Sequence, residues 1–189
     1  MTEQEIKTNK ELFKSIVKEC ITRDGIDDLM NWLESTDFYT APSSTRYHGA
    51  EPGGLCAHSL EVFKCLKAKQ DIESIETIAI SALFHDLCKV NTYNLTYRNS
   101  KDESGKWIKV PYYENKDSYP LGHGEKSVIL LMKHIKLTDE EIMAVRWHMS
   151  GFYVSNPGES SQISTALSMY KLVLKLQTAD QEAAFWYNK

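Results

Sequence analysis

The chain has 189 residues, 42% of them hydrophobic and 25% charged, with a formal net charge of −4. That size suits one domain with a real core, and the acidic balance argues against a coat for polymeric nucleic acid, which needs clustered Lys and Arg. The polar, acidic start is not a signal peptide, and no apolar run reaches the roughly 20 residues that cross a bilayer, so a cytoplasmic protein without a membrane partner is expected.

The first 35 residues predict two helices. Leu12, Ile16 and Val17 share one stripe; Ile26, Leu29, Met30 and Leu33 share a second, after the Asp24-Gly25 break. Residues 36–54 read as irregular, with the Pro- and Gly-bearing turns that often line sites. Helical periodicity resumes over about 55–69 and 73–90. In 91–121, Tyr93, Leu95 and Tyr97 alternate, as do Trp107 and Lys109, around the polar turn Asn99–Gly105; this predicts an inserted β-hairpin. Helices follow over about 122–136 and 138–149, the second with a capping box of Thr138 and Glu141, and a long helix closes the chain over about 160–185. The expected fold is therefore all-α and single-domain (1–189): N-terminal helices over 1–35, then a helical core over 40–185 interrupted by the hairpin.

The stripe of Ile75, Ile78, Ala79 and Ala82 runs into His85 and Asp86. A carboxylate on a buried face is costly unless a cation compensates it. Four of the six histidines form an ordered series with two aspartates: His58, His85-Asp86, His123, His148 and Asp180. Each lies on or at the start of a predicted helix, and Asp180 extends the stripe of Ala166, Tyr170, Val173 and Gln177. A lone inward His is usually a satisfied core residue. His134 fits that description, or a cation near a helix C-terminus. One metal centre explains the whole set together. Imidazole plus carboxylate suits Mn, Fe, Co, Ni or Zn. The four cysteines show no CxxC pairing and read as buried free thiols rather than ligands or disulfides. Six ligands divide between two divalent ions with Asp86 shared: His58, His85, Asp86 and Asp180 for one, Asp86, His123 and His148 for the other. Such a pair, about 3.5–4 Å apart, activates a bridging hydroxide and holds a phosphoryl oxygen.

The series H…HD…H…H…D resembles the HD-domain superfamily of metal-dependent phosphohydrolases, over nearly all of residues 40–185. The resemblance implies an HD helical bundle with the ions held inside it, in the binuclear form. Gly53-Gly54-Leu55-Cys56-Ala57-His58, with His48 ahead of it, is similar to the HD module of bacterial 3′–5′ exoribonucleases. Those carry an N-terminal OB-fold where this chain has two helices, which points to a smaller substrate. Pro120-Leu121-Gly122-His123-Gly124-Glu125 after the hairpin also resembles uncharacterised bacterial and phage HD proteins. The implied reaction is hydrolysis of a phosphate ester in a nucleotide, cyclic nucleotide or short single-stranded oligonucleotide, by a chain that could form a homodimer. The same ligand set also occurs in mixed-valent di-iron oxygenases, and an HD domain can sense a nucleotide without turnover.

Lys89, one turn beyond His85, is placed to neutralise a non-bridging or leaving oxygen; the alternative is a solvated helix-end lysine. Arg46 can grip phosphate bidentately, and His48 can protonate a leaving oxygen or join the outer metal shell, unless both are plain loop residues. Lys126 and Arg146 lie near ligands as candidate substrate contacts or surface charges. Glu61 and Glu125 can orient imidazoles, although exposed helix positions explain them more simply. The hairpin aromatics Tyr93, Tyr97, Trp107, Tyr112, Tyr113 and Tyr119 either form a lid that stacks a base or pack across the strands.

Overall fold

A computed structural model describes residues 1–149 and 157–187. Helix α1 (Glu3–Cys20) opens on a capping box: the Thr2 hydroxyl accepts from the Glu5 amide, and the Glu5 carboxylate accepts from the Thr2 amide. It buries Phe13 and Val17. Helix α2 (Ile26–Glu34) follows Gly25, whose φ of 90° suits glycine alone, and buries Leu29 and Leu33. Helices α3 (Gly54–Ala68) and α4 (Ile75–Phe84) form the centre of the domain. Every residue of α4 from Ile78 to Phe84 is buried, as expected of a helix with neighbours all round. Phe38 and Phe84 meet the Phe13 ring edge-on at 5.0 and 5.6 Å, joining the loop after α2 and the end of α4 to α1. Each fully buried Leu, Ile or Phe here contributes roughly 1.5–3 kcal/mol.

The helix expected over 73–90 stops at Phe84; Leu87–Lys89 is a separate 3-10 turn, and Asp86 has left helical geometry at φ −104°, ψ 21°. The hairpin is narrower than 91–121. Strand β1 (Tyr93–Lys101) pairs antiparallel with β2 (Trp107–Asn115), Tyr93 opposite Asn115 and Lys101 opposite Trp107. The ribbon packs chiefly on itself. Its root is tied down by Asn91 and Asp37, each accepting the other's backbone N–H on a side-chain oxygen, at 3.3 and 2.6 Å respectively.

Helices α5 (His123–Met132) and α6 (Asp139–Trp147) follow, and the capping box of Thr138 and Glu141 is present. The single long C-terminal helix is replaced by α7 (Pro157–Met169) and α8 (Lys171–Glu182), parted at an extended Tyr170, with a π-helical turn over Ala183–Tyr187. The break lets Tyr170 pack on a second apolar cluster of Trp147, Ile163, Ala166 and Val173, and α8 then lies against α3 and α6. The architecture is mostly helical with one two-stranded antiparallel sheet. Among the described residues no helix is long and apolar enough to cross a membrane.

Candidate metal centre

Two helices deliver their histidines in the same way. His85 ends α4 and His148 ends α6, both still in helical geometry. His85 Nδ1 donates to the Ala82 carbonyl at 2.8 Å, and His148 Nδ1 donates to the Val145 carbonyl at 2.7 Å. Each ring thus satisfies one of the orphan carbonyls at its helix end. A carbonyl only accepts, so the proton of each neutral ring sits on Nδ1 and the Nε2 lone pair points away from the helix. Both Nε2 atoms are buried without a hydrogen-bond partner.

Asp86 lies between them, 2% exposed. Its Oδ2 faces His85 Nε2 at 3.4 Å and His58 Nε2 at 3.9 Å. Its Oδ1 faces His123 Nε2 at 2.7 Å and His148 Nε2 at 3.5 Å. Asp180, delivered by α8, holds His58 Nε2 at 2.9 Å and stands 3.8 Å from His85 Nε2. All six expected ligands meet in one place, from α3, the ends of α4 and α6, the start of α5, and α8. His48 joins them, its ring centroid 4.9 Å from that of His58. The rings of His48, His58, His85, His148 and His123 form a continuous series with neighbouring centroids 4.9–5.3 Å apart. Three overlapping groups have ligand atoms close enough to share an ion: His58, His85 and Asp180; His85, Asp86 and His148; Asp86, Cys88 and His123.

The electrostatics follow from burial and crowding. Burial pushes the Asp86 carboxyl up, but Lys89, His85, the hydrogen bond with His123 and the neighbouring His148 hold it well below the usual range. Asp180 is likewise burdened by burial and held low by His58. Burial lowers His58 and His123 against the opposing pull of Asp180 and Asp86. For His85, burial is outweighed by Asp86 and Asp180, and the net direction is up. Burial, then His58 and Lys89, lowers His48 to about 4. At neutral pH that is a neutral imidazole, a better neighbour for a metal than a proton donor.

Lys89 donates to Asp86 Oδ2 from the 3-10 turn, not from a continuing helix, and the carboxylate keeps it charged despite burial. It also lines a cavity of about 430 Å³ beside His123. The other basic residues have different surroundings. Lys126 reaches this cavity, but its ammonium donates to Thr92 Oγ1 at 3.2 Å and Asp117 Oδ1 at 2.7 Å, tying together the two roots of the ribbon. Arg146 also lines the cavity, where it pairs with Glu125 and stacks over the Trp147 ring at 3.8 Å. Arg46 is exposed on the loop before α3. Glu61 pairs with Lys64 on the helix surface, and His134 pairs with Asp28.

Cys88 is the residue sequence reasoning missed. Its thiol, raised to about 12 by burial, lies 3.4 Å from His123 Nδ1, the ring atom opposite the one that meets Asp86. Its place two residues after Asp86 was the available signal. The cysteines are otherwise free thiols, as expected.

Glycine sets the spacing of the centre. A side chain at Gly124, next to His123, would overlap the Arg146 carbonyl oxygen, so α5 approaches α6 this closely only without one. Comparison with known families, with curated proteins and with solved structures returns no match.

Proposed function

We propose that this chain is a metal-dependent phosphohydrolase of the HD type, acting on a nucleotide, cyclic nucleotide or short oligonucleotide. The observation that carries the reading is the division of Asp86. Each of its oxygens faces two histidines, and the two helix-end rings bring Nε2 atoms that lack a hydrogen-bond partner. Buried imidazole nitrogens and carboxylate oxygens in this arrangement fit divalent transition metals such as Mn, Fe, Co, Ni or Zn. His58, His85, Asp86 and Asp180 would hold one ion, and Asp86, His123 and His148 a second. When bound, such a pair supplies a water activated at neutral pH and positive charge at a phosphoryl oxygen.

The chain's own residues do the rest. The cavity beside His123 receives the ester, within the size range of small-molecule sites. Lys89, in its wall, offers an ammonium to a non-bridging or leaving oxygen. The burial of His58, His85 and Asp86 excludes bulk water, so the charges around phosphorus act at short range with little screening. The Nδ1 bonds of His85 and His148 to their own helices fix ring orientation before any ligand arrives.

The test is a hydrolysis screen over mononucleotides, cyclic nucleotides and cyclic dinucleotides with Mn, Co, Ni and Zn supplied in turn. Metal-dependent release of phosphate or nucleotide, lost in Asp86→Ala, is the expected result. Two irons with oxygen uptake would replace the reading with an oxygenase. Nucleotide binding without turnover would replace it with a sensing module.

A further inference from the structure

The ribbon has two unlike faces. Strand side chains alternate, and the register places Leu95, Tyr97 and Lys101 of β1 on the same face as Trp107, Lys109 and Tyr113 of β2. No carboxylate lies on that face. The acids of the ribbon are Asp102 and Glu103 in the tip turn and Glu114 on the opposite face. Leu95, Tyr97 and Trp107 are 57%, 63% and 66% exposed. The Lys101 ammonium rests 5.2 Å from the Trp107 ring centroid. Solvent asks for polar side chains on an uncovered strand face, and this one offers rings interleaved with cations.

That chemistry selects its partner. Flat π-faces stack on bases, and lysines without competing acids pair with phosphates. The net charge of −4 does not oppose this, because the acids of the ribbon lie off the face. The face is also continuous with the candidate site. Tyr93 and Asn115, the pair that ends it at the root, line the cavity beside His123. From Lys101 to Tyr93 the strand runs roughly 25 Å, the length of several nucleotides.

We propose that this face of the ribbon is a docking track for single-stranded nucleic acid that leads one end of the strand into the cavity beside the metal centre. The delivery step rests on the phosphohydrolase reading of that centre; the binding step does not.

Fluorescence anisotropy of a labelled oligouridylate of about 12 nucleotides, with the protein stripped of metal by chelator, tests the track directly. Saturable binding is expected, weakened roughly sevenfold between about 50 and 200 mM salt if two counterions are released. Trp107→Ala and Tyr97→Ala should each cost about tenfold, while Trp107→Phe retains most of the affinity. Lys109→Glu should weaken binding more than Arg98→Glu, the same charge change on the opposite face. Melting curves of each variant confirm that the fold is kept. Absence of binding, equal loss from Arg98→Glu, or a concentration-dependent dimer abolished by Trp107→Ala in place of RNA binding would each overturn the proposal. Because the chelated protein is read for binding alone, the two readings fail separately. Binding without hydrolysis in any metal removes the phosphohydrolase and leaves the track; mononucleotide hydrolysis without oligouridylate binding does the reverse.

Discussion

The two oxygens of Asp86 open on different surroundings. Around Oδ2 the His58, His85 and Asp180 side chains are 1%, 0% and 11% exposed. Around Oδ1, His148 is equally buried, but His123 is 22% exposed and stands in the cavity wall. One side is closed, with two imidazoles and a second carboxylate. The other has fewer protein ligands and a way in. Closed ligand sets suit a resident ion, and open sets leave positions for water and substrate. Lys89 sharpens the contrast: its ammonium rests on Oδ2, so a cation on the closed side shares that oxygen with a charge the protein already supplies.

This contrast can be broken in steps. Asp86→Ala removes the residue common to both sides. Elemental analysis should find both ions lost, and metal-dependent hydrolysis should fall by more than about a thousandfold. Retention of one ion would show that the sides are independent. Next in size, His58→Ala and His123→Ala should separate the sides: the first loses the closed-side ion, and the second keeps it and loses the exchangeable one.

Gly124→Ala tests the spacing itself. The added methyl meets the Arg146 carbonyl, so α5 must move from α6, with a cost of about 1–3 kcal/mol by thermal melting and weakened metal uptake on the open side. Cys88→Ala removes the thiol beside His123 Nδ1 and should lower affinity on the open side about tenfold, with Cys88→Ser restoring part of it.

The smallest effect lies away from the centre. Glu73 is pushed up by burial but held below its ordinary value by Lys175, which it meets at 2.6 Å. A depressed carboxyl stabilises the fold above its unfolded pKa, and that contribution is lost as pH falls through the lower folded value. Lys175→Met should therefore lower the melting midpoint by about 2–4 °C near neutrality, with the difference from the parent shrinking toward acid pH.

The cluster of histidines and aspartates was legible because His85, Asp86 and Asp180 interrupt apolar stripes, an anomaly that periodicity exposes. How the rings are aimed was not legible. His85 and His148 work because their helices stop at them, and helix ends are set by local hydrogen bonds that a stripe does not encode. Tyr170 hid its break in the same way, since Ala166, Tyr170 and Val173 keep helical spacing across it. Lys126 read as a substrate contact or a surface charge; it is buried in the cavity wall, and its partners Thr92 and Asp117 come together only when the ribbon folds. The alternation of the ribbon was plain in the sequence. That its aromatic face is left bare and ends at the cavity needed three dimensions.

On the proposed reading, Asp86 joins two ions. Manganese titration of the metal-free protein, followed by electron paramagnetic resonance, tests it most directly. A shared carboxylate with ions about 3.5–4 Å apart predicts two Mn per chain and an exchange-coupled signal that Asp86→Ala abolishes. An isolated six-line signal at two Mn per chain, or saturation at one, would contradict it.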